Sequence, residues 1–391
     1  MNDKLNIVLI GNGMYSTGQG TEGYGTIVPA INEFNRKDKK VNLLHVVGSR
    51  VESTKKAKQK TDNLQDITGS YLPILLSPTK KDNSEEYKRA ILEIEKPACA
   101  IIAVPDHLHY EITKFCLENN LHCLVVKPFT VNLQEAQELT SIANERGLLS
   151  WVEFHKRWDV ANIALRDSYL SGEIGKLLYC IVEYSQRKSI PTQHFKGWSS
   201  KTNILNYLGV HYIDLMRFIT QATPKKVSAT GQNYYLEEMG IETYDAIECS
   251  IEWQSINNET FIQTIFTNWV DPDTSTSASD QKIKLIGTKG RFESDQKNRG
   301  LSLNVDNKSP KSLNPYFCSS FKNPDNNLEW SGYGIDSIVD FLSSASSLIS
   351  GNTSLEDMPK SKPSFDESIY STSVLQAAKQ SLDSNSCWIE I

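Results

Sequence analysis

The lysine of Val126-Lys127-Pro128 is the first residue whose position points to chemistry. It closes the apolar run Cys123 to Val126, and a helix is expected from about Leu133. A lysine at the end of a buried strand is costly to place. Pro128 removes a backbone donor and stops the strand from pairing further. Lys127 is thereby delivered to the carboxyl edge of a sheet, where open α/β sheets bind their ligands, although a surface cap on the strand would look the same. A second feature is Gly11-Asn12-Gly13, directly after the apolar run Asn6 to Ile10. A strand ending in Gly-x-Gly and leading to a helix is the phosphate turn of dinucleotide-binding folds, where backbone approaches the pyrophosphate. Here the signal is incomplete. Ser16 stands where a third glycine belongs, and the next helix, from Ile27, follows an insert carrying Gly18, Gly20, Gly23 and Gly25. Such an insert also reads as a flexible surface loop. A third feature is Gly48-Ser49-Arg50, after the strand Leu43 to Val47. An acid there would bind a ribose 2′-hydroxyl. A hydroxyl and a guanidinium suit a 2′-phosphate, which favours NADP and leaves NAD possible. Finally, His211 and Asp214 are spaced i, i+3 in the helical stretch Tyr207 to Phe218 and share one face. Taken alone, His211 reads as a core histidine satisfied by hydrogen bonds.

The elements that carry these residues fall into two parts. Residues 1–150 alternate strand and helix, the signature of a doubly wound parallel sheet. Within them Ala98 to Val104 is a continuous apolar run, hence a buried parallel strand, and it closes with Pro105-Asp106-His107-Leu108-His109. The pattern changes in residues 151–391. After His155-Lys156-Arg157-Trp158 come a helix, Val160 to Leu170, and a strand, Lys176 to Gln186. Runs at Lys226 to Gln232, Ala246 to Trp253, Phe261 to Val270, Lys282 to Gly287 and Arg291 to Ser294 follow without regular helices between them. This indicates an α+β domain built on a large, mostly antiparallel open sheet, with a hairpin turn at Gly287-Thr-Lys-Gly290. Residues 305–330, rich in Asn, Pro and Ser, are expected to be loop, and two helices, Ile335 to Leu348 and Ser371 to Leu382, close the chain.

Composition narrows the partners. The chain has 391 residues, a net charge of −6 and 23% charged residues, with no basic stripe, so nucleic acid is not expected. No apolar run approaches membrane-spanning length, and the N-terminus enters a strand-like run with no signal-peptide layout. The seven scattered cysteines suit reduced core thiols in a cytoplasmic protein. No CxxC or HExxH cluster is present, and no metal is expected.

Taken together, Gly11-Asn-Gly13, Val104-Pro-Asp-His-Leu-His109, Val126-Lys-Pro128, Ser171-Gly-Glu-Ile-Gly175, Gly209-Val-His-Tyr-Ile-Asp214 and Gly287-Thr-Lys-Gly290 resemble the glucose–fructose oxidoreductase / inositol dehydrogenase / rhizopine catabolism (Gfo/Idh/MocA) family of NAD(P)-dependent sugar oxidoreductases. None is specific alone; their order and spacing over nearly the whole chain carry the likeness. The resemblance implies an N-terminal Rossmann domain and a C-terminal substrate and oligomerisation domain. It implies that Lys127 touches nicotinamide and substrate hydroxyl, that His211 exchanges the hydroxyl proton, and that Asp214 orients the imidazole or binds substrate. Gly11, Asn12, Gly13, Met14, Ser49, Arg50, Val104, Pro105, Asp106, His109, Lys127 and Pro128 are then the expected cofactor contacts. Lys127, Lys156, Arg157, Trp198 and Asp214 are the expected substrate contacts. The chemistry is consistent: oxidising a secondary alcohol removes hydride from carbon and a proton from oxygen. A base near neutral pKa suits that proton, and a cation stabilises the developing alkoxide.

Three departures stand out. Val126 replaces the acid of the family's Glu-Lys-Pro motif. Tyr207 stands four residues before His211, where many members carry an aspartate, which makes Tyr207 a candidate catalytic residue. The glycine-rich insert is absent from typical members. The expected activity is a dehydrogenase or reductase acting on a sugar, cyclitol or nucleotide-linked sugar. The alternatives are a dinucleotide-sensing regulator without turnover and a redox-neutral glycosidase that recycles NAD. A homodimer or homotetramer is expected through the second sheet, using alternating apolar residues of Ala246 to Trp253 and Phe261 to Val270.

Overall fold

A computed structural model describes residues 4–322, 324, 326 and 328–391. Each short apolar run of the N-terminal part becomes a strand. These are β1 (Leu5–Ile10), β2 (Val41–Val47), β3 (Ile74–Ser77), β4 (Ala98–Ile102), β5 (His122–Val126) and β6 (Ser150–Glu153). They form one sheet in the order β3-β2-β1-β4-β5-β6, and every pair in it is parallel. Between them lie α1 (Met14–Thr17), α2 (Ile27–Asp38), α3 (Val51–Thr68), α4 (Glu86–Glu93), α5 (His109–Glu118) and α6 (Leu133–Glu145). The strand order reverses between β1 and β4, the point where a doubly wound sheet opens a crevice at its carboxyl ends. β1 and β4 are buried along their whole length, as strands covered on both faces must be.

The chain continues with α7 (Val160–Leu170), β7 (Leu177–Arg187), α8 (Val210–Thr220), β8 (Thr223–Gln232), the single turn α9 (Tyr235–Glu238), β9 (Ala246–Gln254), β10 (Thr260–Asp271), β11 (Ser279–Gly287) and β12 (Arg291–Asp295). Four short strands follow, β13 (Leu301–Leu303), β14 (Lys311–Leu313), β15 (Ser319–Lys322) and β16 (Leu328–Ser331), then α10 (Tyr333–Ile349), α11 (Phe365–Asp383) and β17 (Ile389–Glu390). The second sheet runs β12-β11-β7-β10-β9-β8-β17. It is antiparallel except where β7 and β10 run together. The Gly287–Gly290 turn joins β11 to β12, with the Gly287 amide donating to the Gly290 carbonyl at 2.9 Å.

Three features differ from the reading of the sequence. The segment expected to be loop carries β14, which pairs with β13 just ahead of it, and the small hairpin of β15 with β16. Cross-strand pairing there satisfies backbone groups without the apolar alternation that marks a strand. Next, the chain is not divided at residue 150. One compact unit comprises Met1–Thr130, Gln134–Trp158 and Tyr316–Ser368, and the other Val131–Leu133, Asp159–Pro315 and Ile369–Ile391. The reason is α10: Ile335, Ile338, Phe341, Leu342 and Ala345 are buried in one core with Leu9, Ile31, Phe34, Leu44 and Trp151. Its apolar stripe covers the first sheet's layer rather than the second. Last, the alternating residues of β9 and β10 point inward. Ile247, Cys249, Ile251, Trp253, Phe261, Ile265 and Trp269 are buried, and Gln263 Nε2 on the same face donates to the Tyr212 carbonyl of α8 at 2.9 Å. A strand's period of two puts every second residue on one face, and the inward set is already covered. The outer face instead carries Tyr179, Ile181 and Phe266 among polar neighbours.

Candidate active site

At the carboxyl end of the first sheet the strands are tied edge to edge. Ser77 accepts from the Gly48 amide at 2.8 Å, Val47 from Gly11 at 2.8 Å, and Ile10 from Ala103 at 2.8 Å. Gly11 has φ +102, and a Cβ there would lie 2.0 Å from the Ala103 carbonyl oxygen, so only glycine fits where β1 passes β4. Gly13 differs: a Cβ there would meet nothing within 4 Å, and no side chain caps the turn that follows. An uncapped turn with open space at its glycine leaves room for a phosphate. Met14 opens the short helix α1, which the sequence reading did not anticipate before Ile27.

The glycine-rich insert is a built structure. Gln19 Nε2 donates to the carbonyls of Asn12 at 2.6 Å and Ser53 at 2.7 Å. Lys60 Nζ on α3 gathers the carbonyls of Thr21, Glu22 and Gly23 at 2.8, 3.3 and 2.8 Å. The Thr26 amide donates to Tyr15 at 2.7 Å. The insert is thus clamped between the phosphate turn and α3.

Ser49 and Arg50 are exposed after β2, with Arg50 preceding α3. The Ser49 carbonyl accepts from the Asn83 amide at 2.9 Å. A carboxylate does reach this corner, but from the loop after β3: Asp82 Oδ1 accepts from the Val51 amide at 2.8 Å. The sequence reading missed Asp82, because its approach depends on strand order rather than on spacing along the chain.

Val104 and Pro105 lead from β4 into a tight turn, Asp106–Leu108. His109 is 0% exposed. Its Nδ1 lies 2.7 Å from the Pro128 carbonyl and its Nε2 2.9 Å from that of Val104, so the ring joins the loops after β4 and β5. Lys127 has intermediate exposure but stands deep among protein atoms. Desolvation pulls its ammonium down to about 8, against the opposing attraction of Asp106 and Glu153. Glu153 is 1% exposed and ends β6. Both its oxygens lie 3.1 Å from His155 Nδ1, and Ser337 donates to Oε1 at 2.9 Å. The Tyr15 hydroxyl is 3.5 Å from the same His155 nitrogen, and Tyr333 stacks on the ring at 5.6 Å. Lys156 and Arg157 are buried in the same unit. Lys156 Nζ lies 5.9 Å from the centre of the Tyr333 ring, and Arg157 Nη1 donates to the Ser361 carbonyl at 2.8 Å.

The second unit holds Trp198, Tyr207, His211 and Asp214, and the rings of Trp198 and Tyr207 meet. A wide helical turn, Leu205–Gly209, runs directly into α8, so Tyr207 precedes His211 on one continuous helical path. His211 and Asp214 are both buried. The Tyr207 ring packs against Phe195 at 5.0 Å, Trp198 at 5.8 Å and Trp269 at 5.8 Å between centroids. Of this aromatic cluster the sequence reading singled out Trp198 and Tyr207 but not Phe195 or Trp269. Among the described residues, no group of three or more His, Cys, Asp or Glu side chains is placed to hold a metal ion. No described helix is long and apolar enough to cross a membrane.

A parallel 3-2-1-4-5-6 sheet with a Gly-x-Gly turn at its switch point defines a dinucleotide-binding protein of the Rossmann class. Residues 5–154 match the oxidoreductase family with NAD-binding Rossmann fold, and residues 163–293 match the GFO/IDH/MocA C-terminal domain. The chain belongs to the Gfo/Idh/MocA oxidoreductase family, whose cofactor is a nicotinamide dinucleotide. It is 26% identical over 203 residues to scyllo-inositol 2-dehydrogenase (NADP(+)) of Bacillus subtilis strain 168, covering 49% of this chain and 55% of that protein. It is 25% identical over 138 residues to D-glucoside 3-dehydrogenase of Escherichia coli K12, covering 34% and 38% respectively. The chain thus spans about half the length, or less, of these curated relatives. Among solved structures, scyllo-inositol dehydrogenase from Lactobacillus casei with bound NAD(H) and scyllo-inositol superposes with a TM-score of 0.67 at 13% identity, covering 99% of each chain. GenD2 from gentamicin A biosynthesis in complex with NAD gives 0.71 at 16% identity, covering 99% of this chain and 96% of that one. These likenesses establish the fold.

Proposed function

We propose that the chain is an NADP-dependent dehydrogenase or reductase acting on a secondary alcohol or ketone of a sugar, a cyclitol or a nucleotide-linked sugar. The observation that carries this reading is Lys127: a desolvated ammonium at the end of β5, one strand from the switch point, with Asp106 and Glu153 opposing its loss of charge. The open space at Gly13 fits a bound pyrophosphate; Asn12, Met14, Val104, Pro105 and Pro128 are assigned as further cofactor contacts, with His109 joining the loops that carry Val104 and Pro128. When bound, the nicotinamide supplies the hydride acceptor or donor. The chain's own residues do the rest. Lys127 holds the charge that develops on the substrate oxygen. His211 takes or returns the hydroxyl proton, and Asp214 orients its ring or the substrate. The test is a panel of cyclitols and sugars offered to the full chain with NADP, read by nicotinamide absorbance. Turnover of at least one is expected. Dinucleotide binding with no turnover across the panel would defeat the reading.

Cofactor choice rests on Ser49 and Arg50. NADPH is expected to bind more tightly than NADH when the two are titrated side by side, because a guanidinium pairs with a 2′-phosphate. Asp82 reaches the same corner but already accepts from the Val51 amide. Arg50→Asp should move the preference toward NADH, whereas equal or tighter NADH binding by the unaltered chain contradicts the assignment.

A homodimer or homotetramer through the outer face of the second sheet is proposed as well. Tyr179, Ile181 and Phe266 offer apolar side chains there. Light scattering at micromolar concentration should return a multiple of the 44.0 kDa chain mass. A monomer would exclude this assembly.

A further inference from the structure

We propose that Gln19, carried by the glycine-rich insert, is a positioning residue of the dinucleotide site: it sets the direction of the Gly13 amide and ties the phosphate turn to the first turn of α3. The inference rests on the reading of the Gly-x-Gly turn as the place of the pyrophosphate. Gln19 Nε2 donates to two carbonyls, those of Asn12 at 2.6 Å and Ser53 at 2.7 Å. Two acceptors in this place call for the nitrogen of the side-chain amide rather than its oxygen. The Asn12 carbonyl also accepts from the Thr17 hydroxyl at 2.8 Å. A trans peptide is planar, with its carbonyl and its N–H on opposite sides. Holding the Asn12 carbonyl therefore sets the direction of the Gly13 N–H, which belongs to the same peptide unit. That N–H makes no hydrogen bond among the described residues, and a Cβ at Gly13 would meet nothing within 4 Å. A fixed, unused backbone donor at a glycine with room around it suits a phosphate oxygen.

The second carbonyl extends the tie. Ser53 lies in the first turn of α3. Its hydroxyl lies 3.2 Å from Asn12 Nδ2, from which it accepts, and it donates to the Arg50 carbonyl at 3.0 Å. Gln19 and Asn12 thus lock the phosphate turn to the residue that precedes α3, so the two corners of the cofactor site are held at one spacing. The insert is shaped to present Gln19. Just before it, Gly18 has φ +78, and a Cβ there would lie 2.2 Å from the Gly23 carbonyl oxygen, so the two arms of the insert close on each other. Lys60 pins the tip through the carbonyls of Thr21, Glu22 and Gly23, and its ammonium lies 5.4 Å from the centre of the Tyr24 ring. Tyr24 in turn meets Trp330 edge-on at 6.0 Å. A loop closed on itself and pinned at its tip has little freedom left to lose when the dinucleotide arrives, and preorganisation of this kind raises affinity.

Gln19→Met keeps the length of the side chain and removes both donors. The measurement is the affinity of the full chain for NADPH and for NADH by calorimetry, with adenosine, which carries no phosphate, titrated as a competitor. Gln19→Met should weaken both dinucleotides about tenfold, the scale of one or two net hydrogen bonds, and leave adenosine within about twofold. A merely structural role would weaken the three ligands alike. If Gln19→Met does not fold, judged by its thermal melt, Lys60→Met releases the tip of the insert without touching the turn. It should give a smaller loss of the same pattern, and Lys60→Arg, which still donates to the carbonyls, should restore the affinity. Unchanged dinucleotide affinity in a folded Gln19→Met chain, or in Lys60→Met where Gln19→Met does not fold, overturns the proposal. An equal loss for adenosine overturns it as well. The result is separate from the choice of cofactor and from the activity. NADH binding tighter than NADPH removes the assignment of Arg50, and dinucleotide binding without turnover removes the dehydrogenase reading; in both cases the loss in Gln19→Met still decides the role of Gln19.

Discussion

Replacing Lys127 by alanine is expected to lower turnover by about 10²–10³-fold, the usual loss when one electrostatic donor is removed from a reacting oxygen, while dinucleotide binding weakens far less. The split follows from where the charge matters. In the ground state the substrate hydroxyl is neutral and gains little from an ammonium; in the transition state the oxygen carries developing negative charge and gains much. Burial sharpens the effect, because the same charge acts more strongly where water is excluded. It also makes the effect depend on pH. The ammonium is pulled down to about 8, so this contribution should be whole below that pH and fade above it. Stability runs the other way. Between about 8 and the ordinary lysine value of 10.5 the unfolded chain binds more protons at this site than the folded one, so folding becomes more favourable as pH rises through that window. Turnover and thermal stability of the unaltered chain, followed across the alkaline range, should therefore diverge, and Lys127→Ala should flatten the alkaline fall in turnover. A Lys127→Ala chain with near-normal turnover on an identified substrate would remove Lys127 from the active site.

How much of this was legible in the sequence depends on whether a feature is local. Continuous apolar runs such as Ala98 to Ile102 announce buried parallel strands, and α7 occupies the expected Val160–Leu170. The Gly-x-Gly turn and the lysine before Pro128 are also read within a few residues. Features set by distant partners were not. β6 is only four residues long and ends in an acid, so Ser150–Glu153 carries no clear period. Glu153 reads as a surface charge until Ser337, nearly two hundred residues later, is seen to donate to it. The insert after Gly13 reads as flexible until Lys60 is found holding its carbonyls. The apolar stripe of α10 states that the helix is buried but not under which sheet. Likewise, the alternation in β9 and β10 states that one face is apolar and leaves open what covers it. Structure answered both, placing α10 in the first unit's core and the inward face of β10 against α8.

The largest loss is expected at His211. His211→Ala should reduce turnover by roughly 10²–10⁴-fold, the range for removing a general acid–base group. It should also remove an ionisation near neutral pH from the rate profile, since imidazole is the side chain whose unperturbed charge change falls there. Dinucleotide affinity should barely move, because the expected contacts of the cofactor lie in the first unit. Tyr207 is the competing proton carrier, one helical turn earlier on the same path. Its ring is held by Phe195, Trp198 and Trp269, so Tyr207→Phe preserves the packing and deletes only the hydroxyl. That makes the pair of variants decisive. Loss of turnover in His211→Ala, with the neutral limb gone and Tyr207→Phe close to normal, assigns the proton to the histidine. Near-normal turnover and an unchanged profile in His211→Ala, with Tyr207→Phe inactive, assigns it to the tyrosine. Comparable losses in both would mean that the proton passes through both groups. In that case the double variant should lose little beyond either single one, because steps in series are not additive.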